Sequence, residues 1–273
     1  MPGEDLDDAL EVAGNLARDG LTTTLTLLGE NLESLSEADE VVAHYIRTLS
    51  EIRARGLDAE ISIKLTQLGL DFGADAARER LATLAAATDS LVWVDMEGSA
   101  YVDATLDIYR GVHAAHGNVG LCLQAYLHRT EADLEGLLPL DPSIRLVKGA
   151  YSEPDDVAYP KKSDVDRNFV RLTTRLLRAR AQGGKGRPVV ATHDPGMIGE
   201  ASRLGHELGL DRRGFEYAML FGISSSEQRR LARSGYPVRV LISYGPAWFP
   251  WYMRRLAERP ANLTFVLRNT FGR

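Results

Sequence analysis

The chain has 273 residues, 44% of them hydrophobic and 26% charged, with a formal net charge of −6. This length suits one large domain or two small ones; the acidic balance argues against a nucleic-acid binder, and no apolar run reaches the roughly 20 residues of a membrane-spanning helix. The single cysteine, Cys122, allows neither an intrachain disulfide nor a multi-thiolate metal site and fits a reducing, cytoplasmic setting, while the acidic start MPGEDLDDALEVA lacks the basic-then-apolar order of a signal peptide.

Residues 1–20 read as a short helical lead-in, after which short apolar runs alternate with amphipathic stretches. The runs are Leu21–Leu28, Glu60–Leu65, Leu91–Asp95, Val119–Leu123, Ile144–Val147, Pro188–Ala191, Phe215–Met219 and Val238–Ile242. Their length and their β-branched and leucine content predict buried parallel strands. Helical patterns cover Ala38–Arg55, Ala74–Thr88, Ala100–His116, Glu131–Leu138, Asp164–Gln182, Gly196–Leu208, Ser226–Ser234 and Ala247–Glu258. Ser36 and Ser225 stand where N-caps are expected. This alternation predicts an α/β protein, a (βα)8 TIM barrel forming a single domain over residues 1–273. A doubly wound open sheet is the alternative. The turn after the first run, LLGENLES, holds one glycine and lacks the G-x-G-x-x-G fingerprint such a sheet usually shows.

In a barrel of this kind the site forms at the C-terminal ends of the strands. The candidates in chain order are Lys64 in SIKLTQLGL, Asp95 in VWVDMEGS, and Gln124, Tyr126 and Arg129 after the fourth run. The fifth run carries Arg145 and ends at Lys148 and Tyr151. The sixth gives Thr192, His193 and Asp194, the seventh Glu216 and Leu220, and the eighth Tyr244. An inward lysine costs several kcal/mol unless it is paired or functional, which singles out Lys64 and Lys148. Asp95 and Glu97 are placed to pair with Lys64. One strand-end histidine is too few ligands for a metal site, and no G-x-S-x-G motif is present.

Three readings stay open at this point. Lys64 or Lys148 is a Schiff-base nucleophile of a cofactor-free aldolase or lyase, the basic groups hold an anionic cofactor, or the protein is a non-catalytic carboxylate-binding module. The strand ends carry more basic groups than one small substrate needs, which favours a phosphate-bearing cofactor across the barrel mouth.

The last helical pattern contains WYMRRLAERPAN, with Tyr252, Arg255, Leu256 and Arg259 at helical spacing and Pro260 ending it. Adjacent residues on a helix point about 100° apart, so Arg254 and Arg255 are able to fork around one small anion, and guanidinium suits a carboxylate. Glu258 lies one turn after Arg254. Tyr244, Trp248, Trp251 and Tyr252 crowd the same region. Aromatic walls around a two-arginine clamp suggest a small, flat, carboxylated ligand.

The segments SIKLTQLG, DMEGSAYVDATLDIY, LQAYLHRT, RLVKGAYSEP, ATHDPGMI, FEYAMLFG and YMRRLAERPANLTFVLRN occur in this order over residues 20–270. Together they resemble the proline dehydrogenases, in particular the single-function bacterial flavoenzymes. Members of that family usually carry more helical residues before the first strand than this chain does. The resemblance implies a distorted (βα)8 barrel that holds FAD non-covalently and oxidises L-proline to Δ1-pyrroline-5-carboxylate. By motif, Arg254 and Arg255 would grip the proline carboxylate, Lys64 would approach it with Asp95 beside it, and Tyr151, Leu220 and Tyr252 would line the ring pocket. Tyr244 would pack on the pyrrolidine and exclude hydroxylated analogues. Arg145 would bond the flavin near N5 and Gln124 its pyrimidine side. Lys148, Thr192 and His193 would meet the flavin or its ribityl-phosphate chain, Lys161 the adenine side, and Glu258 the cofactor or Arg254. A quinone-type electron acceptor is implied; with no membrane-spanning run in the sequence, contact with a quinone pool is expected to be peripheral, and the apolar Trp248, Phe249, Pro250 and Trp251 are the candidate docking patch. A pyrroline-5-carboxylate dehydrogenase is the candidate partner for the product.

Overall fold

A computed structural model describes residues 2–29 and 32–246. Strands β1 Thr22–Leu27, β2 Ala59–Ile63, β3 Val92–Val94, β4 Val119–Gln124, β5 Ser143–Val147, β6 Pro188–Ala191, β7 Glu216–Leu220 and β8 Val238–Tyr244 close into a parallel barrel in sequence order. Helix α1 (Leu6–Arg18) precedes β1. The strands β1 to β7 are followed by α2 Leu35–Ala54, α3 Ala74–Ala86, α4 Val102–His116, α5 Thr130–Leu137, α6 Lys162–Ala181, α7 Pro195–Glu207 and α8 Ser225–Arg233. The predicted helix over residues 247–258 lies outside the described residues. The expected TIM-type barrel is therefore the fold, and the open-sheet alternative is excluded by the parallel pairing of β8 with β1.

Successive strand residues face opposite sides, and the register makes this consistent round the barrel. Outward residues such as Ile61, Ile63, Val92, Leu121 and Val240 are fully buried in one apolar cluster shared with Leu81, Leu84, Leu106 and Leu172 of the surrounding helices. Helix α1 buries Leu6, Ala9, Leu10, Ala13 and Leu16, at helical spacing, and touches β1 and β8.

Two predicted caps fall elsewhere. The cap of α2 is Ser34, not Ser36: its Oγ accepts from the Glu37 N–H at 3.3 Å, and the Glu37 carboxylate accepts from the Glu33 N–H at 2.9 Å. Ser225 is the first residue of α8 rather than its cap. Ser224 takes that place with φ 52° and makes no side-chain capping bond.

The N-terminal half of the barrel interior is filled by charge. Arg239 Nε lies 2.8 Å from Glu216 Oε1 and 3.4 Å from Glu60 Oε2, and Arg187 Nη2 reaches both Glu60 oxygens at 2.6 and 2.7 Å. Each buried charge has an opposite partner, without which it would be strongly destabilising. This network is the floor on which the site stands.

Candidate active site

A cavity of about 250 Å³ opens above that floor at the C-terminal ends of the strands. Its walls contain Lys64, Asp95, Gln124, Arg145, Lys148, Tyr151, Thr192, His193 and Leu220, so the structure gathers these predicted residues around one space.

Asp95 is the hub of one wall. Its Oδ1 accepts from Ser62 Oγ at 3.0 Å and from Arg145 Nη2, and its Oδ2 lies 3.9 Å from Lys64 Nζ. Arg145 Nη2 also donates to Ser62 Oγ at 2.8 Å. Lys64 and Arg145 are each only 6% exposed, so one carboxylate balances two buried cations. Glu97 does not join them; it accepts from Thr66 N–H at 3.1 Å and Thr66 Oγ1 at 2.7 Å.

At the end of β5, Lys148 Nζ donates to Asp166 at 2.6 Å and to Asp194 at 2.9 Å. Burial pushes both carboxyls up, but Lys148 and Lys162 together, with the Gly196 N–H at Asp194, hold them below the usual range. Lys162 joins the same pair of carboxylates. Lys161 stands exposed ahead of α6, outside the cavity wall. Gly149, next to Lys148, has φ 116°, and a Cβ there would sit 2.1 Å from the Tyr126 ring. The glycine of the KGAY segment is thus required twice, by conformation and by space. Arg129, by contrast, is spent at the surface on Asp103 and Asp133.

His193 Nε2 accepts from the Leu220 N–H at 3.1 Å. Burial lowers its pKa to about 4, so the ring is neutral at pH 7 with its proton on Nδ1.

Tyr244 is the correction. It is fully buried, and its hydroxyl bonds His44 Nε2 at 2.8 Å and Thr48 Oγ1 at 3.3 Å on α2, outside the barrel. The side chain faces away from the cavity, where Leu241 forms the β8 wall instead. Counting by two from inward Arg239 gives Leu241 and Ser243, so Tyr244 is one residue out of phase. The same count, run back from Lys64, Asp95 and Gln124, finds Ser62, Trp93 and Cys122. Sequence reasoning limited to strand ends missed all three. Tyr252, Arg254, Arg255 and Glu258 lie outside the described residues.

The family model described as proline dehydrogenase matches residues 9–268. The chain belongs to the proline dehydrogenase family. It is 37% identical over 269 residues to proline dehydrogenase 2 of Bacillus subtilis, covering 97% of this chain and 87% of that protein. It is 38% identical over 277 residues to the proline dehydrogenase of Deinococcus radiodurans, covering 98% and 87%. In fold it is similar to proline utilization A from Bdellovibrio bacteriovorus, with a TM-score of 0.88 at 21% identity; the match covers 99% of this chain and 33% of that larger one. The Asp95 hub and the Lys148 carboxylate pair both fall within the span matched to the proline dehydrogenases.

Proposed function

We propose that this chain oxidises L-proline to Δ1-pyrroline-5-carboxylate with bound FAD, which a quinone-type acceptor then reoxidises. The observation that carries the reading is the convergence of Lys64, Asp95 and Arg145 on one side of the cavity. There two buried cations face a space sized for a small anionic substrate beside a cofactor ring.

The walls suit a flavin. Gln124 is 3% exposed, its Nε2 is taken by the Met96 carbonyl at 3.1 Å, and its Oε1 has no hydrogen-bond partner among the described residues. Such an acceptor fits an imide N–H, the donor on a flavin's pyrimidine ring. His193, Lys148 and Thr192 all line the cavity and are assigned to the polar chain of the cofactor.

When bound, FAD supplies the acceptor for the hydride that leaves the proline ring carbon next to nitrogen. The residues supply position and field. Lys64 approaches the carboxylate, assisted by Arg254 and Arg255 as the family motif implies. Tyr151, Leu220 and Leu241 bound the apolar ring. The ring nitrogen must shed its proton before the C=N bond forms, and the positive field of Lys64 and Arg145 favours that loss. His193 is not the base, because Nε2 is occupied by the Leu220 N–H and Nδ1 already carries its proton. Lys148 is hydrogen-bonded to two carboxylates and lacks the apolar surroundings that activate a Schiff-base lysine.

Among the described residues no helix is long and apolar enough to cross a membrane. We assign contact with a membrane quinone, at the cytoplasmic face, to the apolar run Trp248, Phe249, Pro250 and Trp251, which falls outside the described residues. The imine product is a substrate for a pyrroline-5-carboxylate dehydrogenase. The reading is tested by denaturing purified protein and identifying the released chromophore, together with proline-dependent reduction of a soluble quinone. Release of FAD and reduction only with L-proline are expected. A colourless protein that takes up no FAD and traps substrate on a lysine with borohydride would instead establish the Schiff-base alternative.

A further inference from the structure

Trp93 lies on the inner face of β3, two residues before Asp95, and is 1% exposed. The guanidinium carbons of Arg145 and Arg187 both lie over its ring, 5.1 and 5.5 Å from the centroid. Its indole N–H donates to Glu60 Oε2 at 2.7 Å, and Glu60 is the carboxylate that holds Arg187. The register pairs Trp93 with Gly120 on β4. A Cβ at Gly120 would stand 2.6 Å from the indole, so the ring lies against bare backbone. Four strands thereby fix one ring: β3 carries it, β4 leaves room for it, and Glu60 on β2 and Arg145 on β5 set its orientation and its load.

Arg145 reaches both levels of the barrel. Above, it bonds Asp95 and Ser62 in the cavity wall; below, it rests on Trp93. Desolvation strengthens the attraction of a guanidinium to an indole face, and a ring locked by its own N–H bond cannot follow the arginine if it moves. We propose that Trp93 is the positioning residue for Arg145, holding the guanidinium up against Asp95 and so linking the ionic floor of the barrel to the redox site. The inference rests on the reading that a flavin occupies the cavity, where a fixed cation stabilises the added negative charge of the reduced ring and raises its potential.

The test is a double-mutant cycle on the flavin midpoint potential, with kcat per bound flavin and the proline KM measured alongside. Trp93→Leu should make the potential more negative and lower kcat about tenfold, the scale of one buried cation–π contact, with KM changed much less. Trp93→Phe, which keeps a ring face, should recover most of both. Gly120→Ala removes no side chain of the site but displaces the indole, so it should shift the potential in the same direction even if Trp93→Leu folds poorly. In an Arg145→Met background the Trp93 substitutions should have no further effect on the potential, because the two residues act as one unit. Wild-type potential and kcat in the flavin-bound fraction of Gly120→Ala and Trp93→Phe or Trp93→Leu would overturn the inference while leaving the cofactor reading intact. A wild type that takes up no flavin would overturn the cofactor reading, and this role for Trp93 with it.

Discussion

The backbone N–H of Leu220 donates to His193 Nε2 at 3.1 Å, tying the segment after β6 to the end of β7 and fixing the imidazole tautomer. Protonation of Nε2 would break this bond. Burial places the folded pKa near 4, below the unfolded value near 6.5. As pH falls, the unfolded chain therefore takes up this proton first. The stability that His193 contributes is full above about pH 6.5 and is lost as pH falls toward 4, with a slope of at most about 1.4 kcal/mol per pH unit. His44 is also lowered, by burial and by Arg47, so the wild-type slope contains both. Urea denaturation across pH 4 to 6.5 should show a shallower loss of stability in His193→Asn than in wild type. Equal slopes would contradict the buried neutral ring.

Asp95 balances Lys64 and Arg145, and Asp95→Asn keeps the shape while removing the charge. Two buried cations are then left without a carboxylate, a loss of about 3 kcal/mol for a broken buried pair. Thermal unfolding should show a lower Tm, and flavin retention should fall with it. A variant as stable as wild type would mean that solvent already screens this cluster.

Tyr244→Phe removes a hydroxyl bonded to His44 and Thr48 on the outer side of β8. The expected effect is about 1 kcal/mol of stability with the proline KM and the discrimination against hydroxyproline unchanged. Leu241→Phe enlarges a residue of the cavity wall and should raise the proline KM. Steady-state kinetics on both variants separates the two positions. A selective loss of discrimination in Tyr244→Phe would restore Tyr244 to the substrate pocket.

The barrel was legible in the sequence because each strand falls in a short run rich in β-branched and leucine residues, and the runs alternate with stretches that carry an apolar stripe at helical spacing. Strand ends marked Lys64, Asp95, Gln124, Lys148 and His193 for the same reason: a polar residue where an apolar run stops. What escaped was phase. Tyr244 closes its strand but points outward, whereas Trp93 and Ser62 lie within runs that look like core and point inward. The Asp166 contact to Lys148 was illegible for another reason. It joins α6 to the end of β5, and nothing local in the sequence brings them together. The cap of α2 was misplaced by two residues because Ser34 and Ser36 are equivalent until the reach of Glu37 back to Glu33 is known.

Arg254→Met and Arg255→Met test the clamp that the family motif implies in the segment beyond the described residues. Each removes a charge-assisted bond to the substrate carboxylate, a loss of about 2–3 kcal/mol, so the proline KM should rise by roughly one to two orders of magnitude. Unchanged KM in both variants would refute the clamp.

The central claim is that one cavity holds both proline and a flavin. The visible spectrum of the purified, FAD-loaded protein under anaerobic conditions, before and after L-proline, addresses it most directly. The account predicts flavin absorption bands that bleach on addition of one equivalent of L-proline per flavin and stay unchanged with D-proline. A protein that binds no flavin after incubation with FAD, or whose flavin bands persist in excess L-proline, would contradict it.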